Sequence, residues 1–322
     1  MDFFHFHIQM IQRSTGRSAV AAAAYRSGAR IVNTWDGTVH DYTRKQHVVY
    51  NEVMLPANAP PHFADRSMLW NSVEWAEKKR DAQLAREVEM ALPKELPRVA
   101  QIKLVRKFVQ KEFVDAGMCA DVAIHDKEDG NPHAHILLTV RPLNSDGNWA
   151  QKSRLVYDLD DAGQRIALPN GRWKCHKENV VEWDHRQNPE KWRKAAAETI
   201  NEALREYGFS QSFVDHRSYA RQNVQQIPTV HEGARIRMME KRGIHTKLHA
   251  RNLEIALTNG QIRQLQARLA RLNAWAKHEA QVNSSTFHRQ MQLLRCATGS
   301  RIRFFMIRKF KIPVSGCKTV WG

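Results

Sequence analysis

Cysteine is scarce in this 322-residue sequence, and long apolar runs are absent from it. The four cysteines include no CxxC pair, which excludes a disulfide framework and leaves no zinc-binding spacing. No stretch approaches the roughly 20 apolar residues that a membrane-spanning helix needs. The first residues lack the basic segment and the cleavage site of a secretory signal. These absences predict a cytoplasmic protein whose thiols stay reduced.

Basic residues outnumber acidic residues in the chain as a whole. Fifty Lys and Arg against 33 Asp and Glu give a formal charge of +17 and a pI near 10.0. From Ala280 to Gly322, eight basic residues occur without a single acidic one. Such an excess favours a polyanionic partner, and nucleic acid is the first hypothesis. A hydrophobic content of 42% is still enough for a packed core, which excludes wholesale disorder.

Hydrophobic periodicity predicts a sheet with several helices. The predicted strands cover residues 3–10, 48–55, 87–93, 120–125 and 133–140. The predicted helices cover residues 19–24, 66–86, 98–116 and 189–207, and residues 150–180 are predicted to be polar and irregular. Beyond residue 231, apolar residues recur at 3-4-3-4 spacing between Ile262 and Ala276. This spacing predicts a basic helix over residues 250–280 with a coiled-coil-like seam.

The clearest chemical signal is a group of histidines around a predicted hairpin. Residues 129–132, Asp-Gly-Asn-Pro, have the composition of a turn between two apolar runs. Strand parity places His133 and His135 on one face, and pairing across the turn brings His125 near His133. Three converging imidazoles are suited to bind a divalent metal and leave positions open for water or substrate. The alternative is a surface hairpin with incidental histidines.

A three-histidine metal site is compatible with two chemistries, and Tyr25 is the residue that would distinguish them. The metal can generate a hydroxide for hydrolysis, or it can act as a Lewis acid on a phosphate oxygen attacked by a protein nucleophile. Tyr25 ends an alanine-rich helix whose small side chains allow a close approach to a sheet. Because a phenol is a weak nucleophile, it needs a polarised target and a base. Core packing is the alternative role for Tyr25.

Several segments together resemble the MobA/MobL family, the relaxase domains of mobilisable and conjugative plasmids, including the relaxase part of the TraA conjugation proteins. The segments are STGRSAVAAAAYRSG at 14–28, EVEMALP at 87–93, HAHILLT at 133–139, DHRSY at 215–219 and IPTVHEG at 227–233. They occur in the family's order over about residues 1–233. Agreement among independent motifs is more specific than any one of them.

The resemblance implies an α+β fold of the HUH class, in which a central antiparallel sheet is packed with helices. It also implies a metal-dependent tyrosine transesterase that nicks one plasmid strand at the origin of transfer, retains the 5′ end as a phosphotyrosine and later rejoins the strand. The family's nucleophile falls on Tyr25, and its metal ligands fall on His125, His133 and His135. The expected cofactor is a divalent metal ion, Mg²⁺ or Mn²⁺.

Other residues of the expected site have less specific signals. Glu87 and Glu89 share one face of their strand and are candidates to accept the phenolic proton or to orient a metal-bound histidine. A solvent-facing strand edge is their alternative role. Tyr42 and Tyr50 are alternative nucleophiles, because some relatives of this enzyme class use more than one tyrosine. The expected DNA-binding residues are Arg17, Arg26 and Arg217.

The expected organisation is a relaxase domain over residues 1–233, a basic helical extension over 234–280 and an acid-free tail over 281–322 that is a candidate for flexibility. The expected partners are the single-stranded origin region of plasmid DNA, accessory mobilisation proteins, and a coupling protein with its type IV secretion system. The expected location is the bacterial cytoplasm, without membrane insertion. Two competing functions stay open, a three-histidine metallohydrolase and a non-catalytic origin-binding protein.

Overall fold

An antiparallel sheet brings together strands that lie far apart in the sequence. The computed structural model describes residues 4–128 and 130–297, and the chain divides between His216 and Arg217 into two compact units. The strands in these ranges are β1 (Phe6–Gln12), β2 (Arg30–Val32), β3 (Val39–Asp41), β4 (Val48–Met54), β5 (Gln83–Ala91), β6 (Ala120–His125), β7 (His133–Thr139), β8 (Ser153–Tyr157) and β9 (Cys175–Asn179). The helices are α1 (Ala19–Ser27), α2 (Arg66–Ala76), α3 (Arg98–Val109), α4 (Asn188–Glu206), α5 (Ala234–Lys241) and α6 (Lys247–Ala297).

Five strands of the first unit form the central sheet, in the order β1-β5-β7-β6-β4 with every described pairing antiparallel. The helices α3 and α4 cover one face, where Phe108 and Trp192 pack against Val88 and Ile136 in a continuous buried cluster. The opposite face is covered by α1 and α2, which contribute to a second buried cluster. The predicted α+β fold with a central antiparallel sheet and a helical C-terminal region is confirmed.

Alternation within each strand decides which residues face which layer. On β7, Ala134 and Ile136 belong to the cluster under α3 and α4, so His133 and His135 point to the other face. The turn before β7 contains Gly130, whose φ of +81° is readily adopted by glycine alone. The sheet therefore packs one face into the apolar core under α3 and α4 and carries these histidines on the face of α1.

Helix α1 lies directly on the sheet because its side chains are small. Ala19, Ala23 and Ala24 are completely buried. The Ser18 side chain accepts a hydrogen bond from the backbone N–H of Ala21 at the start of the helix, and Gly28 ends it with a φ of +69°. Short side chains permit the close approach that the sequence predicted, and both helix ends are fixed.

Several predicted boundaries were wrong. Helix α2 ends at Ala76 instead of residue 86, because residues 83–86 pair with β1 and β7 at the centre of the sheet. Residues 150–180, predicted to be irregular, contain the β8–β9 hairpin. The hairpin formed by β2 and β3 was not predicted. These strands have only three to five residues, which is too short for a clear alternation.

The second unit contains α5 and α6. Helix α6 continues to Ala297, past the end predicted near residue 280. Asn252 and Asn259 of this helix each bind the backbone N–H and C=O of one residue, Val230 and Ile227 respectively, at 2.8–2.9 Å. Residues 298–322, the rest of the predicted tail, lie outside the described residues, as do residue 129 of the predicted turn and residues 1–3. The domain boundary at residue 233 stays a prediction.

No helix in the described ranges combines the length and the apolar character that crossing a membrane requires.

Candidate active site

Three histidines converge at the end of the β6–β7 hairpin. His125 lies opposite His133 in the strand register, and His135 follows on the same face. One ring nitrogen from each residue can be chosen so that all three atoms lie within 4.8 Å of one another. The convergence that strand parity and the turn composition predicted is therefore present, and these nitrogens can hold one metal ion.

Each of the three imidazoles is oriented by an acceptor on one of its ring nitrogens. His133 Nδ1 donates to the backbone oxygen of Asn131 at 3.0 Å, and His125 Nε2 donates to the backbone oxygen of Arg26 at 2.7 Å. His135 Nδ1 lies 3.3 Å from Glu87 Oε1. Holding one nitrogen as a donor leaves the other as an acceptor, which is the arrangement that orients metal-binding histidines.

Burial keeps two of the imidazoles uncharged. Burial lowers the pKa of His125 to about 3, and the hydrogen bond to Arg26 does not offset this effect. Burial also lowers the pKa of His135, against the opposing hydrogen bond to Glu87. Because a metal binds the neutral imidazole, these side chains are ready to bind near neutral pH without first losing a proton.

Glu87 is the charged centre beneath the histidines. Its side chain is 1% exposed, accepts a hydrogen bond from Gln9 at 2.7 Å and pairs with the Arg26 guanidinium. Burial alone would raise the pKa of Glu87, but the His135 hydrogen bond and the Arg26 charge outweigh it and lower the pKa to about 2. Such a carboxylate is suited to orient His135 and poorly suited to accept a proton.

Glu89 lies in a different environment from Glu87, although both point to the same face. It is opposite His135 in the β5–β7 register, and its side chain is 33% exposed. The Nε2 atom of His5 is 3.8 Å from Glu89 Oε1. A partly solvated carboxylate next to the histidine cluster is within reach of groups that enter the site from solvent.

Tyr25 lies in the last turn of α1 and is 45% exposed, which does not match a core-packing role. The backbone oxygen of the following residue, Arg26, accepts the hydrogen bond from His125, so the nucleophile candidate and the histidine cluster are connected through the backbone of Arg26. The Tyr25 ring meets that of Tyr42 edge to face at a centroid distance of 5.2 Å. Tyr50 is less suited to attack, because burial and its hydrogen bond to Glu52 raise its pKa to about 12.

Lys45 is a site residue that the sequence analysis missed. Its Nζ atom donates to the backbone oxygen of Tyr25 at 2.7 Å and lies 3.7 Å from the centroid of the Tyr25 ring. The same atom is 3.3 Å from His125 Nε2. Burial, followed by the charges of Arg26 and Lys127, lowers the pKa of Lys45 to about 8. No local sequence signal marks a lysine 80 positions before its histidine partner.

The three arginines expected to bind DNA lie in different parts of the structure. Arg17 donates to Gln9 Oε1 at 3.1 Å and lies 3.4 Å from a Glu87 carboxylate oxygen, and Arg26 pairs with the same carboxylate. Both guanidinium groups therefore help to hold Glu87. Arg217 is an exposed residue of the second unit. A DNA-binding role for the three arginines stays a prediction.

Comparison with known proteins places this chain in a family. The chain is 36% identical over 269 residues to the conjugal transfer protein TraA of Agrobacterium fabrum, covering 77% of this chain and 23% of that protein. It is 33% identical to the mobilization protein MobL of Acidithiobacillus ferridurans, covering 75% of this chain and 65% of that protein. The chain spans between 22% and 65% of the length of the curated relatives it matches.

A solved structure shares the fold. Its title is "Molecular Basis of Vancomycin Resistance Transfer in Staphylococcus aureus", and it is similar to this chain with a TM-score of 0.57 and 30% sequence identity. The similarity covers 67% of this chain and 100% of that chain. The family model described as MobA/MobL matches residues 17–242, which include Tyr25, both glutamates and all three histidines. This match covers more than half of the sequence, and the chain therefore belongs to the MobA/MobL family.

Proposed function

We propose that this chain is a mobilisation relaxase, which nicks one strand of plasmid DNA at an origin of transfer and later rejoins it. The observation that carries the proposal is the hydrogen bond from His125 to the backbone of Arg26, the residue next to Tyr25. It couples an exposed tyrosine to a group of three histidines in a chain of the MobA/MobL family. The names of its relatives, mobilization and conjugal transfer proteins, support the same role.

The three histidines suit a divalent metal ion by the chemistry of their donors. Each imidazole has one oriented nitrogen, and the pKa values of His125 and His135 favour their neutral forms. A donor set of imidazoles fits a transition-metal ion better than Mg²⁺, which prefers oxygen ligands. When bound, the cation would supply neutralisation of negative charge on a phosphate oxygen.

The residues of the chain have separate roles in the proposed reaction. The phenolic oxygen of Tyr25 forms a bond to phosphorus and loses its proton, while the bond from phosphorus to the 3′ oxygen breaks and that oxygen takes up a proton. The products are a 5′-phosphotyrosine and a free 3′-hydroxyl, so the reverse attack by the hydroxyl closes the strand without an energy source. Glu87 orients His135, and Glu89 is the candidate acceptor for the phenolic proton.

The substrate would be the single-stranded origin region, and the basic charge of the chain supports this choice. Accessory mobilisation proteins, a coupling protein and its type IV secretion system are proposed as partners, because a nicked plasmid strand must be delivered to another cell. We place the reaction in the bacterial cytoplasm.

A Tyr25→Phe variant tests the proposal. The change removes one oxygen and keeps the ring, so the fold and the edge-to-face contact with Tyr42 should survive. With metal and an oligonucleotide carrying the origin, the unaltered protein should form a denaturant-resistant adduct with the 3′-side fragment, and the variant should form none. His133→Ala should abolish cleavage while leaving DNA affinity nearly intact, since phosphate contacts elsewhere supply most of the affinity.

The competing functions predict different results in the same assay. A metallohydrolase would cleave without an adduct and would tolerate Tyr25→Phe, because its nucleophile is water. A non-catalytic origin-binding protein would never cleave, and its affinity would be indifferent to metal. An adduct that persists in the Tyr25→Phe variant would mean that Tyr42 or Tyr50 is the nucleophile. Peptide mapping of the adduct would identify the tyrosine that carries the DNA.

A further inference from the structure

Two tryptophans meet on the surface of the first unit, outside the site described above. Trp35 lies in the turn between β2 and β3, and Trp75 lies near the end of α2. Their ring centroids are 5.0 Å apart at an interplanar angle of 70°. Trp75 is 52% exposed. We call these two residues the tryptophan pair.

A network of hydrogen bonds fixes the tryptophan pair in place. Trp75 Nε1 donates to Thr34 Oγ1 at 2.9 Å, and Thr34 is itself bound through its N–H and its hydroxyl to Asn71 Oδ1. The backbone N–H of Trp35 donates to the side chain of Asn33, which is 1% exposed. A ring held in this way has little conformational freedom left to lose when a ligand stacks on it.

Arg13 covers Trp35 and leaves Trp75 as the accessible ring. The guanidinium carbon of Arg13 is 4.5 Å from the centroid of the Trp35 ring. Arg13 also donates to the carboxylate of Glu74 at 2.7 Å, and that side chain is 2% exposed. The Arg13–Glu74 ion pair therefore packs Arg13 against the Trp35 ring. The Trp75 ring presents an apolar surface to solvent.

Positive charge lies immediately beyond the tryptophan pair. The segment Lys78-Lys79-Arg80 follows Trp75 by three residues, and all three side chains are exposed. None of them forms an ion pair with a residue that the structure describes. A fixed aromatic surface flanked by unpaired cations is the combination that binds single-stranded nucleic acid, with the ring taking a base and the cations taking phosphates.

We propose that the tryptophan pair is a stacking site for an unpaired base of single-stranded DNA, with Lys78, Lys79 and Arg80 binding the adjacent phosphates. Duplex DNA does not fit, because the faces of its bases are covered by their neighbours. A cationic border also disfavours a protein partner at this position, since interface cores are depleted in lysine. The inference rests on the proposed function for the identity of the strand.

Helix α1 relates this stacking site to Tyr25. Glu74, which binds Arg13, also accepts hydrogen bonds from Ser18 Oγ and the backbone N–H of Ala19, both at 2.8 Å. The tryptophan pair is thereby tied to the first turn of α1, and Tyr25 occupies the last turn. A nine-residue helix is about 13 Å long, so one DNA strand can contact both ends.

Binding without metal tests the stacking site separately from cleavage. The full chain in EDTA is titrated against a fluorescent single-stranded oligothymidine of about 20 nucleotides, and anisotropy gives the affinity. Trp75→Ala should weaken binding between about 5-fold and about 140-fold, the range for loss of one base–aromatic stack. Trp75→Phe should restore part of the affinity. Met68→Ala is the matched control, because Met68 is 53% exposed on the same face of α2, and it should bind like the unaltered protein.

Two further measurements make the test decisive. Affinity for a duplex of the same length should change less than about twofold in Trp75→Ala, because a duplex offers no free base. With 5-iodouracil in the oligonucleotide, photocross-linking should label the peptide containing Trp75 or Trp35. Unchanged single-strand affinity, an equal loss for duplex, or cross-links confined to other peptides would overturn the proposal.

The outcome is independent of the proposed chemistry. If Trp75→Ala weakens binding but no adduct ever forms, the stacking site stands and the relaxase proposal fails. If the adduct forms and Trp75→Ala binds normally, the relaxase proposal stands and the stacking site fails.

Discussion

Glu87 and Glu89 are two residues apart and share a face of β5, yet their side chains differ in burial and in bonding partners. Glu87 is almost fully buried between His135 and Arg26, whereas Glu89 is one-third exposed. The strand pattern predicted both as candidates and could not rank them. Burial and pairing depend on Arg26 and Gln9, which come from other elements, so only the folded chain separates the two carboxylates.

Glu87→Gln should weaken metal binding by roughly tenfold to hundredfold, the usual effect of removing a residue that orients a metal ligand. The amide cannot provide the charge that holds His135 and Arg26. The measurement is the cleavage rate as a function of Mn²⁺ concentration, in which high Mn²⁺ should recover much of the maximal rate. Glu89→Gln should instead lower the maximal rate with little change in the Mn²⁺ midpoint. The opposite pattern would exchange the two assignments.

Lys45→Met should slow cleavage by about tenfold to about hundredfold, because small displacements of a nucleophile have effects of that size. Methionine keeps most of the length of the side chain but loses the hydrogen bond to the Tyr25 backbone and the charge over the ring. Single-strand affinity in EDTA should stay unchanged, which separates positioning from binding. Lys111→Met, at an exposed lysine after α3, is the control. Equal rates for both variants would remove Lys45 from the site.

At the scale of elements, α1 is the part that positions Tyr25, the proposed nucleophile, and both of its ends are bound. Glu74 of α2 holds its first turn through Ser18 and Ala19, and the hydrogen bond from His125 holds its last turn. A helix this short is marginal on its own, so its geometry depends on these tertiary contacts. The position of Tyr25 therefore depends on contacts that α1 makes with α2 and β6.

Glu74→Ala should destabilise the first unit by about 3–5 kcal/mol, since it leaves the partly buried Arg13 guanidinium and two helix donors without their acceptor. Urea unfolding followed by circular dichroism measures the loss, and Glu74→Gln should lose less because the amide oxygen can still accept. Glu198→Ala, at an exposed position of α4, is the control and should change stability by less than about 0.5 kcal/mol. A loss below about 1 kcal/mol in Glu74→Ala would contradict the anchoring role.

The sequence was most informative where local patterns were long or the turn composition was distinctive. Strands β6 and β7 and their histidine cluster follow from two short apolar runs on either side of an Asp-Gly-Asn-Pro turn. Helix α2 was predicted ten residues too long, because the pairing of β5 with two neighbouring strands overrides local helix preference. The tryptophan pair joins a hairpin turn to α2, 40 residues later, through Thr34 and Asn71, and no local pattern could predict it.

At the scale of the whole molecule, charge should govern non-specific DNA binding. Removal of residues 281–322 deletes eight basic and no acidic residues, and it should leave cleavage of an origin oligonucleotide intact. Duplex affinity should fall, and its dependence on salt should become shallower, because fewer counterions are released from the phosphates. Affinity at several salt concentrations measures both effects. A folded truncation that no longer cleaves would show that these residues belong to the active unit.

The two faces of the central sheet also determine how substitutions should combine during the evolution of this protein. Its apolar face under α3 and α4 and its histidine face under α1 are separated by the thickness of the backbone, and they share few side-chain neighbours. Substitutions on opposite faces should then combine additively, as they do at independent sites. Stabilising substitutions around Phe108 should raise the melting temperature of the protein without changing the rate of the proposed reaction. If the proposed function holds, this extra stability would let the histidine face accumulate destabilising substitutions and adapt to new origin sequences.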